Sequence, residues 1–210
     1  MATRSSTDSA TFQRQIAVAA ARLIAEEGAS YETAKRNAAR TILGNARINS
    51  EILPNNEAIE NELRRYNRLF LSKKQPARLQ HLRLLALQLL KKLQPFCPYI
   101  TGAVLNGTAG EYSSIHIQLF TDNAKDVELF LLNENIRFDV GELAKFKKNN
   151  RIIETIEFIW RNETVHLIVY EPNDLRRPDR FFGEHAQRAD LARLIDIING
   201  DNLAKREAET

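Results

Sequence analysis

Cysteine is almost missing: the 210-residue chain has Cys97 alone, with one tryptophan, one methionine, eight glycines and six prolines. A lone cysteine excludes an internal disulfide and a thiolate metal cage. Lying between Phe96 and Pro98, it reads as a small buried hydrophobe rather than a nucleophile. Long apolar runs are absent too. None approaches the roughly 18 residues that cross a bilayer, and the opening MetAlaThrArgSerSerThrAspSer lacks the apolar middle of a secretory signal. The expectation is a cytoplasmic protein with no membrane partner. What is present suffices for a core: 43% of residues are apolar and 27% charged, enough for one domain or two small packed ones.

Charge is unevenly spread. Residues 1–95 hold 16 Lys and Arg against 8 Asp and Glu, a balance of +8, and the remainder holds 14 against 19, a balance of −5; together they give the net +3. A basic front attracts nucleic acid through counterion release, or docks on an acidic layer of the same molecule or of a second copy.

Apolar periodicity divides the chain the same way. A 3.6-residue period predicts helices over residues 10–27, 31–43, 55–71 and 76–93, with Ser30 as a cap, Gly28 and Gly44 as stops and Pro76 in a first turn. Beyond Pro95 the period changes to two. Ile115, Ile117 and Leu119 alternate with Ser114, His116 and Gln118, predicting a strand. A helix from Asp122, a strand over 136–140, a hairpin of 152–160 and 164–170 around ArgAsnGlu, and a closing helix over 186–198 follow. The expected fold is α+β: a basic all-helical region, 1–95; a small α/β core with a mixed sheet, 96–175; and a C-terminal helix and tail, 176–210.

The segment 105–117, LeuAsnGlyThrAlaGlyGluTyrSerSerIleHisIle, admits three readings. As a phosphate-binding loop, Gly107, Thr108, Gly110 and Ser113 resemble the GlyThrXaaGlyLysThrSer run of the Mur peptidoglycan ligases. Glu111 stands in the Lys place, however, turning an attraction of about 4 kcal/mol at 4 Å into repulsion. A strand also follows where a helix is needed.

In the second reading, Val104 to Thr108 and Ser113 to Ile117 resemble the nucleotidyltransferases of the polymerase-beta type. That family sets an apolar residue, Gly and Ser or Gly at a strand end, and an AspXaaAsp pair on the next strand. The resemblance covers about residues 96–170. It implies that Gly107, Thr108 and Ser114 bind a nucleotide, and that two carboxylates hold magnesium. Here Ser114 and His116 stand in the carboxylate places, and neither serves magnesium well. The chain also resembles uncharacterised bacterial proteins of this degenerate type, some of them named UDP-N-acetylmuramate–alanine ligase.

The third reading is a plain β-turn leading to a solvent-facing edge strand. The second and third together imply a nucleotidyltransferase-like protein without catalysis or cofactor, binding a nucleotide, nucleic acid or protein partner, with a homo-oligomer open to it. One alternative is an active nucleotidyltransferase with magnesium and an atypical set drawn from His116, Asp139 and Glu157. His116 and His166, both on strands, could approach one another, and a hydrolytic role would need acidic company such as Glu111, Glu157 or Asp139.

Another alternative is a DNA-binding regulator. The first two helices, joined through GluGluGly, resemble the opening of tetracycline-repressor-type domains, and Lys35, Arg36, Arg40 and Arg47 would meet phosphates. An ordinary αα-hairpin fits the same residues.

Overall fold

The computed structural model describes residues 2–44, 52–143, 153–176 and 187–208. Arg47, His185 and the Lys- and Asn-rich stretch after Leu143 lie outside the described residues. The chain folds as two compact units: Met1–Arg78 with Thr108–Ser113, and Leu79–Gly107 with Ser114–Thr210.

The first unit is built on three helices, α1 (Ala2–Glu27), α2 (Tyr31–Leu43) and α3 (Asn56–Phe70). Its core is alanine-rich: Ala17, Ala20, Ala21, Ala34, Ala38 and Ala39 surround Ile16, Ile59 and Leu63. Small side chains allow the helix backbones a close approach, and three larger apolar groups fill what remains. Each boundary has a local cause. The Gly28 N–H bonds the Ile24 carbonyl and the Ala29 N–H that of Leu23, closing α1 in a Schellman arrangement with Gly28 at φ +68°. Ser30 caps α2 and Asn55 caps α3, each side chain accepting a backbone N–H of the first turn.

Helix α4 (Gln75–Lys92) begins in the first unit and continues into the second, so the division falls inside it rather than at Pro95. Its Leu82, Leu85, Ala86, Leu89 and Leu90 are buried. After the short turn Gln94–Phe96 come β1 (Tyr99–Thr101), α5 (Gly102–Asn106), β2 (Ile115–Phe120), α6 (Ala124–Asn133), β3 (Phe138–Leu143), β4 (Ile153–Trp160), β5 (Glu163–Tyr170), the turn Pro172–Arg176, β6 (Arg188–Ala189) and α7 (Leu191–Ala208). The six strands form one mixed sheet in the order β3-β4-β5-β2-β1-β6. Only β2 with β5 is parallel among these pairings. The class is therefore α+β, as the change of period implies.

Several expectations need correction. The closing helix starts at Leu191, where the Asp190 carboxylate accepts the Arg193 N–H, and not at 186. Cys97 is exposed, in a left-handed turn at φ 49°, rather than buried. Strand β2 is an interior strand, not an edge. Ile115, Ile117 and Leu119 are fully buried on one face, while Gln118 and Phe120 are buried on the other. A second small cluster explains this: Phe120, Ile168 and Tyr170, with Tyr99, Ile153 and Leu175 packed against them, covers the face expected to be wet.

Candidate functional site

Strand register sets a single row of residues across the second unit's sheet. Asp139 pairs with Glu157, Glu157 with His166, His166 with His116, His116 with Thr101, and Thr101 with Arg188. Directly opposed residues share a face. The three catalytic candidates His116, Asp139 and Glu157 thus fall in one row, and His166 joins them.

The two imidazoles stack across parallel strands, with centroids 4.8 Å apart and planes 13° from parallel. His166 Nδ1 lies 3.3 Å from Glu157 Oε2. The acidic company that a working histidine needs is therefore supplied, at His166 rather than at His116. Asp139 and the Glu157 side chain are exposed, whereas the His166 side chain is 29% exposed. Burial, with the neighbouring His166 adding to it, pushes the His116 pKa down to about 4. His116 is thus a neutral imidazole near pH 7. Among the described residues, no three His, Cys, Asp or Glu side chains are grouped so as to hold a metal ion.

The glycine at the strand end is Gly102, not Gly107. Gly102 follows β1 at φ +72°, and a Cβ added there would lie 3.7 Å from His116 Cδ2. It opens α5, which Gly107 closes in a left-handed cap. Counting from Gly102 lengthens the interval to Ser114 by five residues. That removes the short spacing which counting from Gly107 creates. Helix α5 is held from α4: Arg83, whose side chain is 6% exposed, donates Nε to the Val104 carbonyl at 3.0 Å and Nη2 to the Leu105 carbonyl at 3.2 Å. It also pairs with Asp201 of α7.

The rest of the loop belongs to the first unit, so Thr108 lies apart from Gly107 and Ser114 in the division of the chain. Thr108 is only 2% exposed. Four consecutive carbonyls accept side-chain donors: Thr108 from Asn67, Ala109 from Gln75, and Gly110 and Glu111 from Arg78. The Ser113 N–H bonds the Gly110 carbonyl while Ser113 Oγ accepts the Gly110 N–H, a tight turn. A phosphate cradle offers N–H groups to its anion. Here the carbonyls are the engaged groups, and β2 rather than a helix follows.

Also in the first unit, Arg36 pairs with Glu32 at 2.5 Å, one helical turn away. Lys35 is half-buried, and desolvation lowers its pKa. Arg40 is exposed in the last turn of α2. Helix α3 begins twelve residues after Gly44, at Asn56. His81, on α4, approaches the Glu163 carboxylate of β5 at 3.2 Å.

Two of these residues carried a signal in the sequence. Arg83 interrupts the leucine-rich stripe of α4, and a charge on a buried stripe signals a dedicated partner. ThrGlyAla directly after a short apolar pair marks a strand end. Compared with known proteins, the chain matches no family model, no curated protein and no solved structure.

Proposed function

We propose that this is a cytoplasmic, nucleotidyltransferase-like binding protein whose magnesium carboxylates have been replaced, and that it engages a nucleotide, nucleic acid or protein partner without turning over triphosphates. One observation carries the reading. Ser114 and His116 occupy the places of the paired acids, and the neighbour of His116 on the parallel strand is a second imidazole, His166. Hard divalent cations need anionic oxygens. A hydroxyl and two stacked neutral-type donors offer almost none. The order α4, β1, turn, β2, α6, β3, with a positive-φ glycine directly after β1, supports the family resemblance.

The test restores the acids. Ser114→Asp with His116→Asp, assayed by titration calorimetry, is expected to gain magnesium affinity that the wild-type chain lacks. A folded double variant with no gain would count against the resemblance itself.

The Glu157–His166 contact favours one rival, an active transferase with an atypical set in which His166 accepts a proton and Asp139 or Glu157 helps hold magnesium. Pyrophosphate release separates it from the binding protein. For the DNA-binding reading, Arg36 must first leave Glu32. Steeply salt-dependent duplex binding, weakened by Arg40→Glu, would support it.

A further inference from the structure

The sheet consists of two antiparallel halves, β3-β4-β5 and β2-β1-β6, joined by the β2–β5 ladder. That ladder runs in register from Ile115 with Val165 to Phe120 with Tyr170, and His116 with His166 is its second pair. Parallel pairing is slightly weaker per residue than antiparallel pairing. The joint between the halves therefore carries both the weaker type of ladder and the one stacked pair of ionisable rings.

We propose that the His116–His166 stack is an acid-sensitive joint: the sheet holds while the two rings share at most one proton, and the β2–β5 ladder opens when each carries its own. A proton on His166 sits beside the Glu157 carboxylate, 3.3 Å from Nδ1, and is held there. A second proton, on His116, places a like charge against the first with ring centroids 4.8 Å apart.

Other charges on the packed elements do not cancel it. Among the described residues, α5 brings none, since its sequence is GlyAlaValLeuAsn. On β1 the titratable group is Tyr99. From β6, the Arg188 guanidinium stands over the Tyr99 and Phe120 rings and donates to the Leu175 carbonyl. The turn Pro172–Arg176 carries Asp174 and Arg176, and Asp139 lies beyond Glu157 in the row. Glu157 is thus the anion in direct contact with the pair, and it serves His166. Burial, which holds the His116 pKa well below the imidazole range, agrees with this order.

The experiment is native-state hydrogen exchange read by NMR, with histidine ring signals followed on the same samples of the full chain from pH 7 down to pH 4. His166 is expected to take its proton before His116. Once intrinsic exchange is corrected for pH, protection of amides 115–120 and 165–170 should fall by about tenfold per pH unit across the acid part of that range, ahead of amides 138–143. His116→Phe, which keeps a stacked ring and removes the charge, should abolish the extra loss. Should that variant not fold, His166→Phe is the second test. The proposal is overturned if His116 takes its proton first, or if the two ladders lose protection together. Equal acid sensitivity in a folded Phe variant overturns it as well.

Discussion

His116 and His166 stand directly opposite one another on parallel strands, their rings stacked at 4.8 Å. A pair of imidazoles in the middle of a sheet makes stability depend on pH. The folded pKa of His116, about 4, lies below the ordinary 6.5. The unfolded chain therefore binds this proton more readily. The contribution is fully present above about pH 6.5 and is lost as pH falls towards 4, amounting to as much as about 3 kcal/mol. Urea unfolding of the wild type and of His116→Phe from pH 7.5 to pH 4.5 measures it: the difference between the two should shift in favour of the variant on acidification. A difference independent of pH would contradict the burial of His116.

Arg83 is expected to be the most sensitive polar position in the second unit. Replacing it with Met leaves the Val104 and Leu105 carbonyls without their donors and Asp201 without its cation. The expected loss is about 2–4 kcal/mol. Lysine should restore only part, because a point charge cannot reproduce the guanidinium fork. Asp201→Asn should cost less than about 1 kcal/mol, since that carboxylate is 50% exposed. Thermal or urea unfolding ranks the three. An Asp201 variant as damaged as the Met variant would shift the weight from the carbonyls to the ion pair.

Gly28 and Gly44 form a matched pair of tests in the first unit. Both have positive φ, at +68° and +60°, but a Cβ at Gly28 would meet Tyr112 Cβ at 2.6 Å while one at Gly44 meets nothing within 4 Å. Gly44→Ala should cost backbone strain alone, about 1 kcal/mol. Gly28→Ala should cost about 2–4 kcal/mol, because a packed residue must also move. Equal costs would mean that Tyr112 does not lie against Gly28 in solution.

The loop Thr108–Ser113 should behave as structure rather than as a ligand cradle. Asn67→Ala removes the donor to the buried Thr108 carbonyl and should destabilise the first unit by about 1–3 kcal/mol. A phosphate or nucleotide that raises the melting temperature of the wild type but not of Asn67→Ala would contradict this assignment.

Much of the fold was legible because long elements repeat their pattern. Helices α2, α3 and α4 follow the apolar period and their capping residues closely. The β4–β5 hairpin is marked by Arg161 and Asn162, both at positive φ as a tight reversal requires. Strands β1 and β6, of three and two residues, are too short to show any period. Gly102 was overlooked for that reason: without β1 there is no strand end to place it at, and Gly107 draws attention instead. The row Asp139, Glu157, His166, His116 depends on register between strands distant in the chain. A one-residue slip would move each side chain to the other face, and local sequence does not fix that. The wet-face expectation for β2 failed because Phe120, Ile168 and Tyr170 come together only through the same register.

Magnesium-dependent release of pyrophosphate from nucleoside triphosphates, measured on the purified wild-type chain, tests the central claim most directly. With a hydroxyl and an imidazole in place of two acids, release should not exceed the protein-free background. Sustained turnover near the ordinary enzymatic scale, about 1 per second or faster, and lost in Glu157→Gln, would contradict the account and establish the atypical transferase in its place.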